Sequence, residues 1–568
     1  MKGAAKLLGL MLALALVAQG PALAAAKTPP AAPSSRALSA GAVASPDIYG
    51  ARAAQAVLRQ GGNAVDAAVA TAFALAVTYP EAGNLGGGGF MTVYMNGKPY
   101  FLDYRETAPA AATASMYLNA SGEADSNLSL VGNLAVGVPG TVRGLAEAHA
   151  RFGKLTWQQD MAPAIALARD GFMVTPQLMG ILKGATPSVG KGTNFAAWAA
   201  GMTAGQRFRQ PQLAETLQRI ADQGPDGFYK GVTADRIVAQ MARGSIKGLI
   251  THADLEGYKA AWRDPIVGDW HGFTLITAPP PSSGGIALLQ LLRMKADRAD
   301  LFRGQALNSP QYVHLVAEIE KRVFADRAVY MGDPDFVKVP VAALTDPAYI
   351  AGRARQIDPA KPSPTEGVAP GLEKPQTTHF SVVDRWGNAV SNTYTLNGWF
   401  GAGVVVEDAG FLLNDEMDDF SAKPGTPNQY GVVGGSANAI APGKRPLSSM
   451  TPTILLKDGR VAMVIGTPGG SRIFTSVFQV LANAYDFHLP LKAAVSAPRY
   501  HHQLLPPNAI FAEPYGPYSP ALAKGLKARG YVLENQDYNG DIEAIEINGR
   551  MPVVAPDPRA RGAGLVVP

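Results

Sequence analysis

The 568-residue chain contains no cysteine, so neither a disulfide nor a thiolate metal ligand can hold its fold. Histidine is scarce as well, with eight in the sequence. The pair His501-His502 suggests a metal site, but adjacent residues of an extended chain point to opposite sides and no third ligand accompanies them. No metal is expected. Charged residues make up 17% of the chain, and the 50 Lys+Arg against 45 Asp+Glu are spread without the basic runs that a nucleic-acid or membrane-surface partner would require. The expected partner is a small molecule.

Cofactor loops are missing too. Gly184 to Thr193 imitates a phosphate loop around Gly190-Lys191, but Gly192 stands where Ser or Thr is needed, so the stretch is expected to be a plain loop. Gly86 to Gly89 precedes a strand-like run where a dinucleotide fingerprint needs a helix. No later segment has about 20 uninterrupted apolar residues, which excludes a membrane span beyond the N-terminus.

The N-terminus itself reads as an export signal over residues 1–24. Lys2 and Lys6 supply the positive region, Leu7 to Val17 the apolar region, and Ala22-Leu23-Ala24 the small-residue cleavage site. A membrane anchor is the alternative, but the apolar stretch is short and is followed by Pro21 with no stop-transfer pattern. The mature chain is therefore expected to start near Ala25 and to be periplasmic or secreted, with Ala25 to Ser35 as a flexible leader.

From Ala42 to Val77 the pattern is alanine-rich and helical, with Gly61-Gly62-Asn63 as a turn. Helical patterns recur at Thr141 to Arg151, Ala162 to Arg169, Gln212 to Asp222 and Pro310 to Tyr330. At Thr377 the character changes. Thr378 to Val383, Ala389 to Leu396, Gly410 to Leu413, Thr453 to Leu456 and Val461 to Gly466 are short β-rich runs between glycine turns, and helical patterns return near Ile473 to Phe487 and Pro520 to Arg529. The class is α+β, with helices covering sheets. A Pro/Gly-rich segment, Gly367 to Gln376, ends where the β-rich part begins. It reads either as a linker or as a cut site.

The choice depends on Thr377. A threonine hydroxyl is a weak nucleophile, and making it the first residue of a chain lets its own α-amino group act as base. That would require the Gln376–Thr377 bond to break. From Thr377 the sequence reads TTHFSVVDRWGNAVSNTYTLNGWFG, and it resembles the signature of the γ-glutamyl transferase family at Thr377, His379, Gly387, Thr393, Thr395, Asn397 and Phe400-Gly401. Further matches are Leu102 to Pro109, Val138 to Val142, Pro280 to Gly285, Asp415 to Phe420, Arg445 to Met450 and Pro468 to Arg472.

The resemblance implies a four-layer αββα sandwich of the N-terminal nucleophile hydrolase type, interleaved from two self-cleaved fragments. These are a large subunit, 25–376, and a small subunit, 377–568, associated as a heterodimer. It implies Thr377 as nucleophile, Thr395 as its brace and Gly469-Gly470 as oxyanion donors. Arg105, Ser448 and Ser449 match the residues that hold the α-carboxylate of a γ-glutamyl donor; Asn397, Glu416 and Asp419 match those that hold its α-ammonium. Tyr430, in Lys423 to Gly434, matches a lid found in one subset of the family. Each has a plainer alternative: a surface salt bridge of Arg105 with Glu106 or Asp103, a solvated acidic turn, a turn before Met450, a type II turn after Pro468, a surface loop. The implied activity is γ-glutamyl transfer to water, an amino acid or a peptide, without cofactor. Two competitors are a glutaryl-cephalosporin acylase, whose donor lacks the α-ammonium, and a degenerate exported binding protein.

Overall fold

The computed structural model describes residues 37–365, 377–423, 435–536 and 540–568. The export signal, Gln376 and Tyr430 lie outside the described residues.

Two antiparallel sheets carry the fold. The first runs in the order Ala563–Val567, Gly41–Ser45, Thr378–Val383, Ala389–Thr395, Gly88–Met95, Lys98–Asp103, Ala261–Arg263. The second runs Met551–Pro556, Glu543–Asn548, Arg460–Ile465, Thr453–Lys457, Phe273–Thr277, Ile266–Trp270. Each sheet therefore mixes strands from before and after Thr377. The strand Thr378–Val383 pairs with Gly41–Ser45 on one side and Ala389–Thr395 on the other, so both of its edges are satisfied.

Alternation along these strands sorts residues between two apolar layers. Phe380, Val382, Val390 and Tyr394 join a core built with helices Ile48–Arg59, Ala64–Thr78 and Thr141–Phe152. Val383 and Ala389 instead meet Ile276, Ile454, Val464 and Ile545 of the second sheet. The far side of the second sheet, with Leu455, Met463 and Ile465, is covered by helices Gly284–Asp297, Pro310–Tyr330 and Arg472–Tyr485. Ala64–Thr78 is buried along its whole length. A helix apolar on every side has to be interior, and its alanines permit close approach to the strands beneath it. Its first turn is closed by reciprocal bonds between Asn63 and Asp66.

The structure corrects two expectations. The helical pattern from Ala42 begins with the strand Gly41–Ser45; its small residues suit a strand buried on both faces as well as a helix. The strands between Ala261 and Thr277 fall in a stretch, Gln223 to Ser309, where the sequence reading placed no element. Gly184 to Thr193 is not wholly a loop: helix Pro176–Val189 runs through its first half. Leu178, Leu182, Ala185 and Val189 form a buried stripe at helical spacing, and their burial outweighs the breaking tendency of Gly184 and Pro187.

Candidate active site

Thr377 immediately precedes the strand Thr378–Val383 and is buried. In the adjacent pairing Tyr394 stands opposite Thr378 and Thr393 opposite His379. Continuing that register by one step sets Thr395 opposite Thr377. His379 and Ser381 share the face of Thr377, and this face looks at the second sheet. The Ser381 hydroxyl donates to the Glu543 carbonyl at 2.8 Å and the Ser391 hydroxyl to the Ile465 carbonyl at 3.1 Å.

His379 is enclosed completely. Its Nδ1 lies 2.8 Å from Thr393 Oγ1 and its Nε2 3.1 Å from Ser381 Oγ. Burial pushes its imidazole down to about 3, so it is neutral at physiological pH. A side chain on Gly466 would fall 2.3 Å from the His379 ring, which is why the second sheet must end there in glycine. From Gly466 the chain passes through Thr467 and Pro468 to Gly469 and Gly470, with φ of 144° and 56°. Helix Arg472–Tyr485 begins two residues later. Unlike ordinary turn residues, these two glycines lie at the amino end of a long helix, where exposed N–H groups and the helix dipole favour negative charge.

Thr395 is held from several sides. Its Oγ1 accepts from the Asn397 backbone N–H at 2.8 Å and its carbonyl from Asn84 Nδ2 at 2.8 Å. Asn84 Oδ1 in turn accepts from Gly87 N–H and Thr141 Oγ1 at 2.8 and 2.7 Å. The glycine-rich stretch is needed for this closeness: a Cβ on Gly87 would lie 2.0 Å from the Thr395 carbonyl oxygen. Sequence reasoning gave Asn84 no role, and only its place beside the glycines could have drawn notice.

Asn397, at φ 73°, donates from Nδ2 to the Asp415 carbonyl at 3.0 Å. The following turn, Glu416–Asp419, is a short 3₁₀ helix with Glu416 and Asp418 buried, not a solvated acidic turn. Asn414 fixes its start by accepting from Glu416 N–H at 3.0 Å while donating to Gly86 and Gly137 carbonyls. Arg105 is 1% exposed, which rules out the surface salt bridge considered from sequence. Its Nη1 donates to Glu416 Oε1 and its Nη2 to Asp419 Oδ2. Nη2 also reaches the Leu447 carbonyl at 3.2 Å, adjoining Ser448-Ser449. Asp103 accepts from the Arg105 backbone N–H at 3.0 Å and pairs through its other oxygen with Arg263 at 2.7 Å.

The cluster holds more acid than base. Glu106 is fully buried 3.9 Å from Arg105, and its carboxyl lies against Gly88, the strand partner of Thr395. Burial pushes Glu106 up to about 8, against the pull of Arg105. Burial likewise raises Glu416 and Asp419, again opposed chiefly by Arg105. The desolvation cost falls on Arg105 too, but the carboxylates of Glu416 and Asp419 outweigh it and keep the guanidinium charged. A buried guanidinium in contact with three acids suits a ligand that carries a carboxylate and an ammonium on the same carbon. From sequence Glu106 was only a possible surface partner of Arg105; its burial places it in the cluster.

Ser448 Oγ accepts from Met450 N–H at 3.1 Å, so Ser448 does shape the turn before Met450. Ser449 Oγ accepts from Arg327 Nη2 at 3.1 Å. His501 and His502 bond in different directions, to Thr475 and Gln503 and to the Ala509 carbonyl. Among the described residues, Asp66, His149 and Asp160 offer ligand atoms within 4.8 Å of one another. Asp66 there already accepts from the backbone N–H groups of Asn63, Lys154 and Leu155.

A threonine leading a strand between two sheets, a glycine pair where the second sheet passes into a long helix, and a buried arginine held by acids make up a site of the kind found in acyl-transferring enzymes. The family described as Gamma-glutamyltranspeptidase matches residues 50–567, and this chain belongs to it. A glutathione hydrolase proenzyme of Pseudomonas aeruginosa is 64% identical over 531 residues, covering 93% of this chain and 95% of its own. The structure of a γ-glutamyltranspeptidase from Pseudomonas nitroreducens complexed with L-DON is 60% identical, with a TM-score of 0.57 over 58% of this chain and 98% of the matched one. A cephalosporin acylase from Bacillus halodurans has a TM-score of 0.80 at 28% identity, covering 93% of this chain and 96% of its own. No helix among the described residues is long and apolar enough to cross a membrane.

Proposed function

We propose that this protein is a self-processing γ-glutamyl transferase and glutathione hydrolase with Thr377 as nucleophile. The observation that carries the reading is the cluster of Arg105, Glu416 and Asp419, whose turn is tied at Asp415 through Asn397 to Thr395, on the strand paired with the one that Thr377 leads.

Maturation begins when Thr377 Oγ attacks the Gln376 carbonyl. The N→O shift gives an ester and frees the Thr377 amine; water then releases fragment 25–376 from fragment 377–568. Strands from both fragments in both sheets support one interleaved body, a four-layer αββα sandwich of the N-terminal nucleophile type, with the fragments held as a heterodimer. Residues 1–24, as an export signal, direct the enzyme to the periplasm or outside the cell and are removed from the mature chain.

In turnover the donor's α-carboxylate binds Arg105, Ser448 and Ser449, and its α-ammonium binds Asn397, Glu416 and Asp419. The Thr377 amine takes the proton of its own hydroxyl as Oγ attacks the γ-carbonyl. Gly469 and Gly470 N–H groups stabilise the oxyanion, and glycine at both positions permits the close approach this needs. The amine's proton goes to the departing amine, leaving a γ-glutamyl ester on Thr377. Water or an amino acid or peptide amine then attacks the ester and restores the enzyme. Thr395 braces Thr377, and Tyr430 serves as the lid that limits water entry. No step calls for a metal or cofactor.

An acylase acting on glutaryl amides would share the fold and nucleophile. The retained Asn397, Glu416 and Asp419 favour the glutamyl reading, because a glutaryl group brings no ammonium to pair with them. An exported binding protein without catalysis would have no use for the Thr377–Thr395 pairing. The test is hydrolysis of a chromogenic γ-glutamyl anilide: purified enzyme should release the aniline and Thr377→Ala should not. Equal activity in both would remove Thr377 from the reaction.

A further inference from the structure

We infer that Arg327 is a specificity-determining residue for the donor's α-carboxylate, acting by orienting the hydroxyl of Ser449. The inference rests on the donor-pocket reading given above and deepens it.

Arg327 belongs to helix Pro310–Tyr330, which packs outside the second sheet, and it is 6% exposed. Its Nη2 donates to Ser449 Oγ at 3.1 Å and its Nε to Ser283 Oγ at 3.0 Å. Ser283 passes the restraint on, since its own hydroxyl donates to the Ser448 carbonyl at 2.9 Å and its backbone N–H reaches the same oxygen at 2.8 Å. One guanidinium thus fixes both the loop Pro280 to Gly285 and the serine pair. The resemblance to known relatives gave that loop no role.

The chemistry follows from donor and acceptor counts. A guanidinium can only donate, and a serine hydroxyl has one O–H and two lone pairs. Ser449 must therefore meet Arg327 as an acceptor, which turns its proton away from the guanidinium. Ser448 is treated alike, with the Met450 N–H occupying its acceptor side. Both hydroxyls are so presented as donors, the polarity a carboxylate requires. The positive charge of Arg327 also reaches Asp419, whose ionised form it favours after Arg105. Arg327 needs no contact with the ligand to act in this way.

The experiment compares two competitive inhibitors of the processed enzyme, L-glutamate and its α-carboxamide. In Arg327→Gln the Ki of glutamate should rise about 10- to 100-fold, the range of one hydrogen bond to a charged group, while that of the α-amide moves little. Self-cleavage at Thr377 and kcat for a γ-glutamyl anilide should stay near wild type, with the loss appearing in KM. Arg327→Lys keeps the charge but not the two-point fork, so it should show a smaller shift with the same preference. It also serves if the Gln variant does not fold. Equal shifts for both inhibitors, or none, in either variant would overturn the role of Arg327. A wild-type enzyme that bound glutamate no better than its α-amide would instead contradict the donor-pocket reading itself.

Discussion

Arg105 and Glu416 form an ion pair in which both side chains are 1% exposed, and Asp419 closes on the same guanidinium. Both acids lean on this one guanidinium, with more acid than base around it. A glutamyl head group presents the two charges in the opposite order, so it can replace contacts within the cluster by one contact to each partner. The pocket is thereby selective for a zwitterion: a ligand with the carboxylate alone would engage Arg105 and leave the acids without a cation.

Asp419→Ala tests this selectivity. Removing one partner of a buried charge pair typically costs about 2–5 kcal/mol. For a γ-glutamyl anilide that is a fall on the order of 30- to several-thousand-fold in kcat/KM. For the matching glutaryl anilide no ammonium contact is lost, and Arg105 gains freedom to meet the carboxylate, so kcat/KM should fall much less or rise. The ratio of the two values is the quantity to measure, in fully processed enzyme. An equal fall for both would make Asp419 structural.

Glu106 gives a pH-dependent signature. Burial lifts its carboxyl to about 8, so at pH 7 it is mostly protonated in the folded protein. An arriving α-ammonium favours the ionised form and should expel that proton. Binding of L-glutamate at pH 7, followed by calorimetry in buffers of different ionisation enthalpy, should show net proton release, and Glu106→Gln should abolish it. Equal release from the variant would contradict the account. The same shift bears on stability. Between about pH 4.5, its ordinary value, and 8, the folded state holds a proton that the unfolded state has lost, so the Glu106 contribution falls as pH rises through that window.

His379 works in the opposite direction. Burial lowers its imidazole to about 3, well under the ordinary 6.5. Between those values the unfolded chain binds a proton that the folded chain refuses, so stability falls as pH drops through the window, by up to about 1.4 kcal/mol per pH unit. Urea unfolding of the uncleaved Thr377→Ala chain from pH 7 to 4 should show this slope. Thr377→Ala/His379→Gln should lose one proton's worth of it; identical slopes would show that His379 is not the group responsible.

Much of the part after Thr377 was legible because its strands are short, β-branched and bounded by glycine. Thr378–Val383 and Pro310–Tyr330 coincide with the sequence expectation. Gly41–Ser45 was not legible, since alanine, valine and serine carry no period that separates a buried strand from a helix. The candidate residues came from motif resemblance, and their mutual bonding did not. Nothing in Arg327 marks it among the charged residues of its helix, and nothing in Glu106 announces burial in a cluster short of positive charge. Both facts depend on which segments distant in sequence close over them, a relation that local pattern does not carry.

The most direct test of the central claim is the intact mass of the small fragment after the purified enzyme is quenched during turnover of a slow γ-glutamyl donor. The account predicts a fragment that begins at Thr377, accompanied by a second species heavier by one glutamyl group attached to Thr377. A fragment that begins at another residue, or a Thr377 that never carries the glutamyl group even with donors whose deacylation is slow, would contradict it.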